Sequence, residues 1–314
     1  MNFIIAKANG IDFELKQNQE GSYELPRLEK GGIVYIDGFG TEIKLRTTSR
    51  GFITPLLPGQ SPLSGTSTTY IIKNLRIVGG KRAVDMFATF NSVIENLECI
   101  GQTEFAIKLS FSLMSRLQNI RITNPLGHGV WLGVGEDSWS TNLNSQCNHS
   151  VLDQVRVYNS KKTVGNSFTV DNSNGVKILN CVSEGHTNVG YAIDYRAQNS
   201  TVKTFLIDNF HVEGLSTKGA IRIDAQANTS NTVSRLFVQK YGDSIPTMVI
   251  KNNAPINLEK IGWWTPNMFI HSENFAPRIR INECTYQLNY RSLKTPHERG
   301  IFKPYIFVNG KNPR

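Results

Sequence analysis

Short stretches of alternating apolar and polar residues run along most of the chain. In YIIKNLRIVG (70–79) and SVIENLECIG (92–101), apolar residues recur at every second position after an asparagine. A second alternating stretch follows, as in FAIKLS (105–110) and GVWLGV (129–134). Alternation with a period of two is typical of a β-strand with one buried face. Each pair of stretches therefore predicts two short strands with no helix between them.

The first kind of stretch returns along the chain as an internal repeat. Its six clearest copies share an amide residue, at intervals of 22 to 35 residues: Asn74, Asn96, Asn119, Gln154, Asn180 and Asn209. Fainter copies follow at 233–240 and 256–264. A strand-only repeat of this length predicts an all-β solenoid, a parallel β-helix of about 8 to 10 coils. An antiparallel β-sandwich, the main alternative, would instead show a hairpin turn about every 8 to 12 residues.

The shared amide predicts a structural role for that position. Like residues of successive coils lie roughly 4.8 Å apart in a β-helix. Stacked asparagines at an inward-turning bend can therefore hydrogen-bond from coil to coil. We expect an amide ladder there and no chemistry.

These repeats resemble the right-handed parallel β-helices of the pectate lyase and phage tailspike superfamily. The segments GGIVYIDGFGTEIKL (31–45) and TSTTYIIKNLRIVGG (66–80) are similar to its opening coils. The repeat predicts a β-helix over 31–289, and the segments without it predict a cap or attachment arm over 1–30 and a terminal cap or tail over 290–314. The longer interval between the third and fourth copies predicts an insertion at about 136–149. The resemblance specifies the fold and leaves the function open, because the superfamily includes lyases, hydrolases, esterases and non-catalytic virion fibres.

Composition and charge narrow the function classes. The 314 residues are 39% apolar with a formal charge of +9, which excludes a disordered chain and favours anionic partners. No membrane insertion is expected, and scattered basic residues argue against nucleic acid. Four cysteines without a CxxC pair predict reduced, mostly buried thiols, no metal site and no cofactor. The start of the chain lacks a signal-peptide pattern, so we expect synthesis in a host cytoplasm.

The repeat register brings two carboxylates together. It places Glu184 and Glu213 at equivalent outward positions of adjacent coils, with His211 beside them and Tyr158 one coil away. Two stacked carboxylates repel, so one is expected to hold its proton near neutral pH, which provides the acid and the nucleophile or base of glycoside hydrolysis. The alternative is a solvated polar face on which two glutamates are neighbours.

A second outward column contains Asp171, Asp194, Arg196, Arg222 and Asp224. Two interpretations are open from the sequence. These residues could bind a uronic acid or a cation, or they could form ion pairs between coils. Outward aromatic residues can stack on sugars, so the predicted substrate-binding residues are Tyr158, Trp131, Asp194, Arg222 and Trp264. GHGVWLGVG (127–135) resembles the GHG segment of polygalacturonases, but the preceding coil lacks their aspartates. His128 is therefore predicted to be a turn residue.

Two function classes follow. The first is a virion spike, fibre or tailspike-like protein on the virion surface, which attaches to host surface glycans and contacts other virion proteins through its N-terminal arm. The second is a polysaccharide depolymerase, a hydrolase or lyase that uses Glu184 and Glu213. The apolar outward positions Val78, Ile100, Phe237 and Trp264 predict a homotrimer.

Overall fold

The computed structural model describes residues 4–308, apart from residues 66, 134–145, 187–189, 198–201, 215–217, 240–244, 253, 260–261, 264–266, 273–278, 283–284, 288–300 and 303–304. The insertion expected at 136–149 thus lies mostly outside the described residues. One short helix, α1 (Pro62–Gly65), accompanies the strands. In chain order, the strands are β1 (Ile5–Ala8), β2 (Ile11–Asp12), β3 (Tyr23–Glu24), β4 (Gly32–Leu45), β5 (Phe52–Ile53), β6 (Thr68–Gly79), β7 (Arg82–Phe90), β8 (Val93–Ile100), β9 (Phe105–Leu113), β10 (Arg116–Thr123), β11 (His128–Leu132), β12 (Val151–Tyr158), β13 (Phe168–Asp171), β14 (Val176–Leu179), β15 (Val182–His186), β16 (Ile193–Ala197), β17 (Lys203–Gly214), β18 (Ile221–Ala225), β19 (Thr229–Gln239), β20 (Met248–Lys251), β21 (Ile256–Glu259), β22 (Gly262–Trp263), β23 (Asn267–Ser272), β24 (Ile279–Asn282), β25 (Thr285–Gln287), β26 (Ile301–Phe302) and β27 (Tyr305–Val308).

The strands form two long sheets that the chain visits in turn. Among the described residues, sheet A contains 16 strands, including β4, β6, β8, β10, β12, β14, β15, β17 and β19, and sheet B contains 11, including β5, β7, β9, β11, β13, β16, β18 and β20. Neighbouring strands of both series pair in parallel. The chain is therefore a parallel β-helix of about 8 turns, which confirms the predicted fold.

Like residues stack along the interior of the β-helix. One column of sheet A is in register from coil to coil and completely buried: Ile36, Ile72, Ile94, Leu117, Leu152, Ile178, Ile207, Val233 and Leu258. Burial of each such side chain contributes roughly 2 kcal/mol. The alternating pattern of the sequence thus corresponds to one aliphatic residue per coil in each interior column.

The shared amide position is a bend within the strands of sheet A. Asn74, Asn96, Asn119 and their counterparts have φ values between 51° and 57°, the left-handed region that asparagine tolerates better than most residues. Asn119 donates to Asn96 at 2.7 Å, and Asn96 donates to Asn74 at 3.0 Å. The predicted ladder is therefore present across these three coils, whereas Asn180 donates to Asp153 in the coil of Gln154. The ladder side chains lie largely on the solvent side of the bend.

The N-terminal end of sheet A is closed by antiparallel strands. β1 pairs with β4 on one side and with β2 on the other, so the edge of the first coil is not open. At the other end, the backbone of β27 continues sheet B by pairing with β23. Across the described residues, no helix is long and apolar enough to cross a membrane.

Candidate functional site

The outer face of sheet A, after the bend, carries two side-chain columns. The column next to the bend contains Glu42, Arg76, Glu98, Arg121, Arg156, Val182, His211 and Phe237. The second contains Val78, Ile100, Thr123, Tyr158, Glu184 and Glu213. Both columns have the register that the repeat predicted.

The predicted catalytic residues are neighbours in these columns. Glu184 and Glu213 are register partners on β15 and β17. One ligand atom from each of Glu184, His211 and Glu213 lies within 4.8 Å of the other two, and His211 Nε2 is 3.8 Å from Glu213 Oε2. All three side chains are partly buried. The structure therefore brings together the three residues chosen from sequence.

This cluster can support two kinds of chemistry. Carboxyl groups about 5 to 5.5 Å apart are typical of retaining glycosidases, whereas inverting enzymes need about 6.5 to 9.5 Å. A carboxylate oxygen of Glu184 lies within 4.8 Å of one of Glu213, which is closer than the separation that inverting enzymes need. Imidazole and carboxylate are also zinc ligands, so these side chains can hold a divalent metal ion, which the sequence analysis did not predict.

Tyr158 connects the cluster to the preceding coils. It is the register partner of Glu184, as predicted, and it is partly exposed. The guanidinium of Arg121 lies over its ring, 5.2 Å from the centroid. This cation–π contact holds the arginine against the sheet.

An open groove of about 640 Å³ follows the bend across the first coils. Its lining includes the ladder amides Asn74, Asn96 and Asn119, together with Arg76, Arg121 and Arg156. An amide nitrogen has two hydrogens and the ladder uses one of them, so each amide keeps a donor for a ligand. Sequence reasoning assigned the amides a purely structural role and missed this groove. The adjacent arginines at equivalent repeat positions were the signal that could have indicated it.

Three predicted substrate-binding residues lie on the other sheet. Trp131, Asp194 and Arg222 belong to β11, β16 and β18 of sheet B, the second series of strands in which the repeat placed them, whereas Tyr158 lies on β12 of sheet A. Trp264 lies outside the described residues.

Asp194 is committed to interactions within the protein. Its side chain is only 3% exposed, and Arg222 donates to both of its oxygens, at 2.6 Å and 2.5 Å. Asn166 donates a further hydrogen bond at 3.0 Å. Of the two interpretations that the sequence left open, the ion pair between coils accounts for this contact.

Trp131 belongs to the same buried polar network. Its indole donates to Asp171 at 2.5 Å, and the Arg196 guanidinium lies 5.2 Å from its ring centroid. Burial raises the pKa of Asp171 to about 6, although the nearby Arg196 opposes this shift.

The GHG segment has a packing explanation. A Cβ on Gly127 would lie 2.1 Å from the carbonyl oxygen of Glu104, and one on Gly129 would lie 2.4 Å from that of Ser167, so both positions require glycine. His128, expected in a turn, is instead the first residue of β11. Its Nδ1 accepts a hydrogen bond from the Asn166 backbone at 3.0 Å, and burial lowers its pKa to about 4.

Comparison with known proteins adds a likeness of fold. No protein-family model and no curated protein matches the sequence. The chain is similar to the catalytic unit of a GH87 α-1,3-glucanase from Streptomyces thermodiastaticus strain HF3-3, with 9% identity and a TM-score of 0.43 over 86% of this chain and 61% of that one. It is also similar to PfbA, a surface adhesin of Streptococcus pneumoniae, with 10% identity and a TM-score of 0.40 over 82% and 81% of the two chains. The chain thus spans less than two thirds of the glucanase unit.

Proposed function

We propose that the protein binds an extended host-surface polysaccharide along the groove at the sheet A bend. The observation that carries this proposal is the exposed row of amides in the groove. Amides offer donors and acceptors, which match the hydroxyl groups of sugars. The amides repeat once per coil, about 4.8 Å apart, close to the length of a sugar unit in an extended chain. Successive sugar units can therefore meet successive amides.

Phe39 adds an aromatic surface to the same groove. The residue is 61% exposed, and its φ of 48° lies in the left-handed region. Large side chains are uncommon there, and such backbone positions cluster at functional sites. An exposed ring beside the amides can stack on the apolar face of a sugar.

The proposed setting is a spike or fibre on the virion surface, made in the host cytoplasm. Residues 1–30 then attach the β-helix to other virion proteins, and three copies form a homotrimer. The partly buried apolar side chains of Val78, Ile100 and Phe237 on the outer face of sheet A support a contact between copies. Light scattering on the purified protein tests the assembly, because a trimeric mass is expected and a monomeric mass contradicts it.

Binding of purified host-surface polysaccharides to the intact protein tests the groove. Asn119→Gly keeps the left-handed bend, since glycine adopts positive φ readily, and removes one groove amide. Phe39→Gly removes the aromatic ring and also relieves the backbone strain of a large residue at positive φ. Both variants should bind about tenfold more weakly through lost hydrogen bonds or stacking.

Asn209→Gly is the matched control. Asn209 has a φ of 54° and donates to Asn180 in the same type of ladder, but it does not line the groove. Its replacement should leave binding unchanged. The proposal fails if the protein binds no host polysaccharide, or if Asn119→Gly and Phe39→Gly bind as tightly as the wild type.

A second candidate function is cleavage of the polysaccharide, which the Glu184–Glu213 pair favours. Glu213→Gln removes one charge from this pair, and Glu95→Gln, before the bend on β8, is the control. Loss of polysaccharide shortening in Glu213→Gln alone would support a depolymerase. If the wild type leaves the true host glycan intact, cleavage is excluded and binding remains.

A further inference from the structure

Two arginines face each other within the groove. Arg121 on β10 and Arg156 on β12 are register partners in the column next to the bend. Arg121 is exposed and Arg156 is partly exposed, and both line the groove. Like charges directly opposite each other on adjacent strands destabilise a sheet. The pairing of Arg121 with Arg156 therefore destabilises sheet A, whereas the preceding pairs in the same column join opposite charges.

Preceding coils show how the column otherwise balances its charges. Arg76 lies between Glu42 and Glu98, with nitrogen–oxygen distances of 3.2 Å and 3.5 Å. In the part of the chain that the structure describes, neither Arg121 nor Arg156 has a carboxylate within ion-pair distance. Glu98 is the other register partner of Arg121, but its carboxylate pairs with Arg76. The groove thus presents two neighbouring arginines that have no ion-pair partner among the described residues.

We propose that Arg121 and Arg156 bind a carboxylate or sulfate group of an acidic polysaccharide. This inference rests on the proposed function and names the class of its ligand. The planar guanidinium donates two parallel hydrogen bonds to such an anion. Asn119 lines the groove beside them and adds an amide donor, so charged and neutral parts of one sugar chain meet matching groups.

Tyr158 prepares one of these arginines for the ligand. Its ring lies under the Arg121 guanidinium at 5.2 Å, which restrains the side chain without consuming its hydrogen-bond donors. A restrained donor loses less conformational entropy when the anion binds.

A polysaccharide fits this groove better than a nucleic acid does. The groove also contains Glu98 and several neutral amides, whereas a nucleic acid requires an extended basic surface that follows its phosphates. One pair of arginines without an ion-pair partner among the described residues, set among amides, instead suits a polymer whose anionic groups alternate with hydroxyls.

The test compares binding of polygalacturonate, dextran sulfate, neutral dextran and duplex DNA to the intact protein at low salt. The key variant is Arg121→Gln with Arg156→Gln. Arg116→Gln is the matched control, because Arg116 is an exposed arginine on the same strand, ahead of the bend. Thermal unfolding verifies that all variants are folded.

We expect the wild type to bind polygalacturonate or dextran sulfate, and the double variant to lose about tenfold or more of that affinity through its missing charge-assisted hydrogen bonds. The polymer that binds more tightly distinguishes carboxylate from sulfate as the recognised group. Arg116→Gln should stay within about twofold of the wild type, as expected for an isolated surface charge.

Three results would overturn the inference. They are wild-type affinity of the double variant for both acidic polymers, no binding of either acidic polymer, and tighter binding of DNA than of both. Retained binding of a host polysaccharide by the double variant would refute the anion site while leaving the proposed function intact. Failure of the wild type to bind any host polysaccharide would refute both.

Discussion

The indole nitrogen of Trp131 donates a 2.5 Å hydrogen bond to Asp171, which projects from the next strand of sheet B. The two residues are 40 positions apart in the sequence, and the coil geometry brings them together. Arg196 also contacts the same carboxylate, with its Nε 2.7 Å from Oδ1. Because the Asp171 side chain is only 8% exposed, its charge has a direct effect on stability.

The first prediction concerns the pH dependence of that stability. Burial raises the pKa of Asp171 to about 6 from 3.8, so the folded chain holds a proton that the unfolded chain releases. The stabilising effect of this proton is complete below pH 4 and is lost as the pH rises through 6. The unfolding free energy of the wild type, relative to Asp171→Asn, should therefore fall by about 3 kcal/mol across this window.

Urea unfolding of both proteins at a series of pH values measures this difference. The unfolding free energy of Asp171→Asn is subtracted from that of the wild type because His128 has the opposite pH dependence. Burial lowers the pKa of His128 to about 4, so this residue destabilises the fold as the pH falls. Asp194 and Arg196 remain in both proteins. A difference that does not change with pH would contradict the assigned charge state of Asp171.

A second prediction concerns Arg27, which anchors the segment before the first coil. It is 7% exposed and donates five hydrogen bonds to backbone carbonyl oxygens, those of Thr54, Pro55, Gly65, Phe87 and Ala88. Lysine has only three donors. Arg27→Lys should therefore lower the unfolding free energy by about 3 kcal/mol, since buried carbonyls lose their partners. The exposed Arg46→Lys is the control, and equal stability of the two variants would contradict this role.

The amide ladder gives a third prediction. Asn119 has a φ of 51°, which alanine adopts with strain and glycine adopts freely. Asn119→Ala should consequently be less stable than Asn119→Gly by about 1 kcal/mol. At Thr123, in the ordinary part of the same strand, the order should reverse by about 0.5 to 1 kcal/mol. Denaturant unfolding of the four variants tests both orders, and the same order at both sites would refute the left-handed bend.

Thiol reactivity provides a fourth prediction. Cys99, Cys147 and Cys181 are buried and free, and burial raises the pKa of each thiol to about 12. In a Cys284→Ser background, a thiol reagent at mildly alkaline pH should leave the folded protein unlabelled, because thiolate is the reactive form. All three cysteines should react after denaturation. Rapid labelling of the folded protein would contradict their burial.

The sequence predicts the fold and the register well, because one residue per coil repeats in each column. The amide column alone aligns Glu184 with Glu213 and Tyr158 with Glu184. Arg235 shows the limit of that signal: it occupies the same bend with a φ of 48° and pairs with Asp208, but it is not an amide. The copy of the repeat that contains Arg235 is therefore harder to recognise in the sequence.

The groove could not be read from the hydrophobic pattern. Alternation tells which side chains face outward, but the shape of the outer surface depends on how each strand bends at Asn74, Asn96 and Asn119. Alternation also does not say which outward residues form ion pairs within the protein, as Asp194 and Arg222 do. The glycines of the GHG segment resemble a catalytic motif because close backbone contacts demand the same residue type.

A crystal structure of the protein with a bound fragment of the host polysaccharide tests the central claim most directly. The account predicts a sugar chain in the sheet A groove, parallel to the axis of the coils, with hydroxyl groups bonded to Asn96 and Asn119 and an acidic group between Arg121 and Arg156. A fragment bound on the outer face of sheet B, with the groove empty, would contradict it.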